Sequence, residues 1–286
     1  MNQHNACQKS VLITGCSSGI GLCAARGLAR RGWRVFATAR SEEDLQNLHG
    51  EGLQTLPLDL ADSTSIHRAV DIVLEKSGGQ LHALFNNGAF GQPGAVEDLR
   101  RDVLREQFET NFFGTLELTN LVIPVMRAQG GGRIVMNSSV LGFAAMPYRG
   151  AYNASKFALE GITDTLRLEL TGSGIHVSLI EPGPIESRFR ANAHEAYKRN
   201  IDAEQSVHRE KYLAMERRLK KPGPAAPFTL PPEAVLEKLI HALESTRPKA
   251  RYYVTFPTYL FAALKRVLPQ SAMDWVLTKA SGGGAR

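Results

Sequence analysis

The sequence predicts an α/β fold: a doubly wound, seven-stranded parallel sheet with helices on both faces. Three observations carry that expectation. Short β-branched runs alternate with helix-like segments over the first 180 residues. The links between them are short, so each strand–helix–strand unit should cross over right-handed to a parallel neighbour. Runs such as "VLIT" and "ALF" are apolar throughout, as strands covered on both faces must be.

The elements follow in order. "SVLIT" is the first strand, and a glycine-rich turn leads from it into a helix over 19–31. "RVFATA" is followed by a helix over 41–49, and "LQTLPLD" by one over 62–77. "LHALFNN" precedes a long helix, roughly 98–128, and "RIVMNSS" precedes another over 151–172. "IHVSLIEP" is the sixth strand. Past Pro182 the texture changes. Residues 187–221 read as one or two charged helices, and "KPGPAAPFTLPPE" is too rich in proline for regular structure. "PPEAVLEKLIHALES" reads as a helix with Pro232 at its first turn, and "RYYVTF" as the seventh strand. Residues 257–279 predict an amphipathic tail with Leu260, Ala263, Leu264, Val267 and Leu268 on one face. With no internal repeat and no second complete core, residues 1–286 read as one domain. A lid at about 187–221 and a C-terminal extension at about 257–286 are appended to it.

Composition excludes several classes. Cys7, Cys16 and Cys23 are too few and too clustered for a disulfide framework, which points to a reducing, cytoplasmic compartment. Neither they nor the histidines show metal-ligand spacing, so no metal is expected. No apolar run approaches the ~20 residues of a membrane-spanning helix, and no signal peptide is evident. The net charge of +6 is uneven: residues 187–221 hold ten Lys or Arg against five Asp or Glu, and residues 247–286 seven against one. Such faces suit a phosphate, an acidic substrate or an anionic membrane surface, or are merely solvated. They carry no nucleic-acid recognition motif, so no nucleic-acid partner is expected. The tail would give at most a weak membrane-surface contact. Apolar positions on the long helices (Leu116, Leu118, Leu121, Phe157, Leu166, Leu168) exceed what one sheet face can cover and predict a homodimer or homotetramer.

Two stretches carry chemistry. In "VLITGCSSGIGLCAARGLARRG", Gly15, Gly19 and Gly21 stand where a first strand gives way to a helix, and a helix N-terminus with free N–H groups suits a pyrophosphate. In "AYNASKFALEG", Tyr152 and Lys156 lie one helical turn apart. Of the seven tyrosines, only Tyr152 has a lysine four residues on. A nearby ammonium favours phenolate and would lower a phenol pKa by roughly one to three units from ~10, making a proton-transfer group. The spacing alone does not separate that reading from a passive pair.

The spacing Thr14-Gly15-x-x-x-Gly19-x-Gly21, together with "LFNNGAF", Asn111 in "ETNFFGTLELT", Ser139 thirteen residues before Tyr152, "YNASK" and "PGPIES", resembles the short-chain dehydrogenase/reductase family over roughly residues 9 to 256. The resemblance implies a Rossmann fold, a nicotinamide cofactor and a tetrad of Asn111, Ser139, Tyr152 and Lys156. Tyr152 would be the acid/base, Ser139 would hold the substrate oxygen, and Lys156 would bind the ribose. Asn111 would hold a water of the proton relay. Cofactor contacts are implied at Gly15, Ser17, Ser18, Gly19, Ile20, Gly21, Arg40, Asp59, Leu60, Asn87, Gly88, Tyr152, Lys156, Pro182, Gly183, Ile185 and Ser187. The chain departs from the family in Asn86-Asn87-Gly88-Ala89, where the glycine comes one position early, and in Ser187, where a threonine is usual. "ITGCSSGIG", "VFATAR" and "IEPGPIE" are similar to the branch of hydroxysteroid and retinol dehydrogenases and bacterial aldehyde reductases. Phe90, Leu141, Phe143, Tyr148 and Phe189, with Ser139, are the expected substrate contacts and suggest a small apolar carbonyl or alcohol.

The second strand ends "VFATARSEE", with Thr38 where an NAD enzyme would carry an acid and Arg40 two residues on. A guanidinium can grip a 2′-phosphate that a carboxylate would repel, so NADP is the expected cofactor. The expected function is therefore NADP-dependent reduction of an apolar aldehyde or ketone. A non-catalytic cofactor sensor on the same fold is the alternative, and the filled tetrad speaks against it.

Overall fold

The computed structural model describes residues 8–224 and 226–282; Cys7 and the last four residues of the C-terminal extension lie outside them. Strands β1 (Ser10–Ile13), β2 (Arg34–Ala39), β3 (Gln54–Pro57), β4 (Ala83–Asn86), β5 (Gly132–Asn137), β6 (Ile175–Pro182) and β7 (Arg251–Val254) form one sheet. Its order is β3-β2-β1-β4-β5-β6-β7, and every pairing is parallel.

Strand β1 shows why these strands are apolar throughout. Val11 and Ile13 enter one core, with α1 (Gly19–Arg30) and α9 (Glu233–Glu244). Leu12 enters the other, beneath α3 (Ser63–Ser77), α5 (Gly114–Ala128) and α6 (Gly150–Glu169). All three side chains are fully buried, each stabilising by about 1.5–3 kcal/mol. Because all strands run the same way, their C-terminal ends share one edge. Between β1 and β4 the strand order reverses, leaving a crevice at that edge.

The remaining helices refine the sequence reading. Helix α2 (Glu42–Gly50) is capped by Ser41, whose hydroxyl accepts from Asp44 N. The long helix expected at 98–128 begins later: Val96–Asp98 is a 3-10 turn, α4 spans Arg101–Phe108, and a five-residue π turn, Glu109–Phe113, joins it to α5. Where α5 begins, a Cβ on Gly114 would fall 1.7 Å from Leu60 O, so only glycine admits this crossing. Residues 187–221 form two helices, α7 (Phe189–Asn200) and α8 (Arg209–Lys220), packed through Ala193, Tyr197, Tyr212, Met215 and Leu219. The proline-rich strap is pinned where Arg190 donates to the carbonyls of Lys221 and Gly223.

Two expectations change. The tail is not one amphipathic helix but two, α10 (Phe256–Val267) and α11 (Gln270–Ala280), broken at Pro269. The buried face is Thr258, Phe261, Ala262, Met273 and Leu277, while Val267 is 78% exposed and Leu260 38%. Contact with Val140, Leu141 and Ala144 selects that face, and helical periodicity alone did not reveal it. Among the apolar positions offered as surplus, Leu118 is fully buried in its own sheet core and Leu121 and Leu166 pack against it. The exposed side chains on these helices are Phe157 (41%) and Leu168 (67%), with Phe113 (50%) just before α5.

Candidate active site

The glycine loop follows β1 and opens α1. Gly15 takes φ +70°, the left-handed region that favours glycine. A Cβ on Gly21 would lie 2.1 Å from Gly15 O and 2.7 Å from Asn87 Nδ2. Ser18 caps the helix without a side-chain hydrogen bond, and the first turn holds no acid. The arrangement leaves backbone N–H groups facing an open turn, which fits a pyrophosphate. Ile20 packs against the adjoining core.

Asn87 ties this loop to the next strands. Its Nδ2 donates to Thr14 O (2.9 Å) and Gly15 O (3.1 Å), and its Oδ1 accepts from Asn137 Nδ2 (2.9 Å). The hydroxyl of Thr14 accepts from both Asn87 N and Gly88 N. Neither Gly88 nor Ala89 takes a positive φ, so the early glycine is accommodated in ordinary backbone. Leu60 is buried, and Asp59 Oδ1 accepts from Ala61 N. Pro182 ends β6. Beyond it, a Cβ on Gly183 would meet Thr255 Oγ1 at 2.2 Å, and Ile185 pairs with Leu230. Ser187 lies against the glycine loop, its Cβ 2.7 Å from where a Gly19 Cβ would stand. At the end of β2, Thr38 is buried and donates to Ile13 O (3.0 Å), and Arg40 is exposed. Ser17 lies half-buried in the same turn. These residues fit a dinucleotide.

The tetrad positions converge past the end of β5. Lys156, buried on α6, donates from Nζ to Asn137 O (2.7 Å) and stands 5.8 Å from the centre of the Tyr152 ring. The Ser139 hydroxyl accepts from Leu141 N (3.1 Å) and lies close enough to the Tyr152 phenol to lower its pKa. Asn111 sits inside the π turn, a distortion frequent at functional sites. Its Nδ2 donates to Phe90 O (2.9 Å) and Ser155 Oγ (3.2 Å), and its Oδ1 accepts from Phe90 N (3.1 Å).

The electrostatics differ from the sequence expectation. Burial pushes the Tyr152 phenol up to about 12, offset in part by Ser139 and Arg149. Burial also pushes Lys156 down to about 8, against the pull of Glu160. Desolvation penalises both charged forms, and the ammonium spends a hydrogen bond on Asn137 O. In the protein alone the phenol is therefore held neutral. Cys16 is buried with its thiol raised to about 12, which leaves it inert.

The expected substrate contacts divide. Phe189, first residue of α7, meets the Tyr152 ring edge-on with centroids 5.3 Å apart and touches Gly91. Leu141 and Phe143 pack with Tyr152 against α10 and α11, and Lys265 donates to Phe143 O (2.6 Å). Phe90 contributes its backbone to Asn111 and Gln107. Tyr148 instead joins the α7–α8 core, its ring against His208 and Tyr212 and its hydroxyl 3.0 Å from His208 Nδ1. Sequence reasoning missed Asn137, Gln107 and Arg149. Gln107 lies one helical turn before Asn111, a signal that was available. Among the described residues, no group of three or more His, Cys, Asp or Glu could hold a metal ion, and no helix is long and apolar enough to cross a membrane.

A glycine-lined crevice beside a Ser–Tyr–Lys cluster, its lysine buried and its tyrosine half-buried, defines a class of nucleotide-dependent oxidoreductases, and comparison narrows it. Residues 9–198 match the family described as short chain dehydrogenase. The uncharacterized oxidoreductase YbbO of Escherichia coli K12 is 44% identical over 270 residues, covering 94% of each chain. Human retinol dehydrogenase 8 is 35% identical over 262 residues, 86% of this chain and 81% of that protein. Two solved Burkholderia enzymes share the fold. That of Burkholderia phymatum, in complex with NAD, has TM-score 0.74 and 24% identity, covering 90% of this chain and 92% of that one. That of Burkholderia cenocepacia, in complex with NADP, has TM-score 0.72 and 21% identity, covering 94% and 97%. This chain belongs to the short-chain dehydrogenase family and is an oxidoreductase acting on CH–OH or C=O groups.

Proposed function

We propose that this protein is an NADP(H)-dependent enzyme that reduces an apolar aldehyde or ketone to the alcohol, with Tyr152 as the acid/base. The observation that carries the reading is the convergence of Ser139, Tyr152 and Lys156 at the end of β5 beside the glycine crevice. NADPH, when bound, supplies the hydride. Gly15, Ser17, Ser18, Gly19, Ile20 and Gly21 would hold its pyrophosphate side, and Arg40 its 2′-phosphate. Asp59, Leu60, Asn87 and Gly88 would line the adenosine side. Pro182, Gly183, Ile185 and Ser187 would flank the nicotinamide.

Ser139 then fixes the substrate oxygen, and Tyr152 donates a proton to it. Lys156 keeps a cation beside the phenol. Asn111, fixed by the Phe90 backbone, orients the water that reloads the proton. Phe189, Leu141 and Phe143 surround the Tyr152 ring with apolar surface, which supports an apolar substrate. The similarity to retinol dehydrogenase 8 points the same way. Residues 187–221 act as a lid within one domain, since Phe189 reaches Tyr152 from the start of α7. Self-association uses the face bearing Phe113, Phe157 and Leu168, and the working compartment is the cytoplasm. Any membrane contact is weak, through the exposed side of α10 and α11.

The test is a panel of apolar aldehydes and ketones followed by NADPH absorbance decay, repeated with NADH. Turnover with NADPH is expected. No turnover by a protein that binds NADPH would favour a cofactor sensor.

A further inference from the structure

A cluster of charged side chains lies beneath the site, unused by the reading above. Arg251, on β7, donates from Nη1 to Glu160 Oε2 and to Glu181 Oε1 (2.5 Å), and from Nη2 to Asp164 Oδ2 (2.5 Å). Glu181, on β6, has no exposed surface, and Glu160 is 7% exposed. Glu160 stands one helical turn beyond Lys156 on α6. Gly142 leaves room for it: a Cβ there would lie 2.9 Å from Glu160 Oε1.

Arg167 also reaches Asp164 Oδ1 (3.1 Å), so two guanidiniums stand against three carboxylates and the cluster is one positive charge short. Glu160 Oε1 and Glu181 Oε2 are buried and have no hydrogen-bond partner among the described residues. The two carboxyl groups lie within hydrogen-bonding reach of each other, and Glu181 is raised to about 8 by burial and by Glu160. A single proton shared between them gives both oxygens a partner and balances the charge. Glu181 is the holder, which leaves Glu160 as the carboxylate nearest the catalytic lysine.

We propose that Glu160 is a positioning residue for Lys156, its carboxylate oriented by Arg251 and by the proton on Glu181 so as to keep the Lys156 side chain an ammonium. The surrounding groups fit that role: Tyr152 and Glu160, on its own helix, act on Lys156, while Glu181 on β6 and Arg251 and Tyr253 on β7 act on Glu160. Among the charged ones, Glu160 opposes the burial that lowers Lys156. The proposal rests on Tyr152 and Lys156 being the acting pair.

The experiment is the pH profile of kcat/KM, with NADPH binding followed by fluorescence over the same range as a readout independent of turnover. In the wild type both should fall above about pH 8, as Lys156 loses its proton. Glu160→Gln keeps the packing and removes the charge, so both limbs should move down by about one pH unit. Glu160→Asp keeps the charge and loses packing, and its limbs should stay in place. Glu181→Gln mimics the protonated partner and should also leave them in place. A Glu160→Gln limb that coincides with the wild type overturns the proposal. Should that variant fail to fold, Glu160→Asp decides: a limb in place supports the proposal and a limb moved down overturns it. Failure of the underlying reading would look different, as an active Tyr152→Phe.

Discussion

Adding one methyl group at Gly21 should disable the cofactor crevice, and the same change at Gly161 should be harmless. At Gly21 the new Cβ falls 2.1 Å from Gly15 O and 2.7 Å from Asn87 Nδ2. The first contact is with backbone in a tight turn, and the second is with a side chain that fixes that turn by two hydrogen bonds. Overpacking costs about 1–3 kcal/mol, and losing the two bonds about 1 kcal/mol each. The total, roughly 3–5 kcal/mol, corresponds to a fall in Tm of about 6–10 °C for a chain of this size. At Gly161, inside α6, nothing lies within 4 Å of the new Cβ. There Ala should gain about 0.5–1 kcal/mol from helix propensity. The assay is thermal unfolding of both variants, with NADPH binding by fluorescence. A Gly21→Ala protein that melts with the wild type and binds NADPH normally would refute the assignment of this turn.

Three further outcomes are expected. Tyr152→Phe should retain NADPH binding and lose on the order of a thousandfold in kcat, since the ring stays and the proton donor goes; single-turnover assays check this. Arg40→Ala should erase a preference for NADPH over NADH of at least about tenfold in kcat/KM while leaving NADH activity nearly unchanged; a wild type that uses both cofactors equally would remove Arg40 from the site. Lys156→Met should melt higher than the wild type at neutral pH, because holding a buried ammonium at a pKa of about 8 instead of 10.5 costs roughly 3 kcal/mol. The sign follows from linkage: between those values the unfolded chain binds the proton and the folded one does not, so wild-type stability rises with pH and the advantage of Met shrinks from pH 8 to 10.

Most of the fold was legible because it depends on local pattern. "VLIT" and "ALF" are uniformly apolar because residues such as Leu12 and Ile13 face opposite cores, both dry. The glycines, Ser139, Tyr152 and Lys156 were legible because their spacing is fixed by a turn or by one helical repeat. What depended on tertiary choice was not. The π turn around Asn111 is a shift in hydrogen-bond register that leaves no mark on periodicity. The tail presents two candidate faces, and the loop Val140–Ala144 chose Phe261 over Leu260. The Arg251 cluster joins groups up to 91 positions apart, beyond any local signal.

The same burial accounts for the disagreement over Tyr152 and bears on the direction of the reaction. A lysine one turn away was expected to make the phenol acidic, yet burial pushes it up to about 12, and the groups that oppose the rise are Ser139 and Arg149. At neutral pH such a phenol carries its proton and is set to donate. Donation is what a carbonyl oxygen needs as it becomes an alkoxide, whereas oxidation would need the phenolate first. Lys156, with its pKa near 8, is the group whose charge changes closest to working pH. The alkaline fall of the reductive reaction should therefore follow the lysine, far below the phenol's own ionisation. A neutral, proton-bearing phenol at rest suits the proposed reductive direction, as does β2, where Thr38 stands in the place of the acid of NAD enzymes and Arg40 follows two residues on.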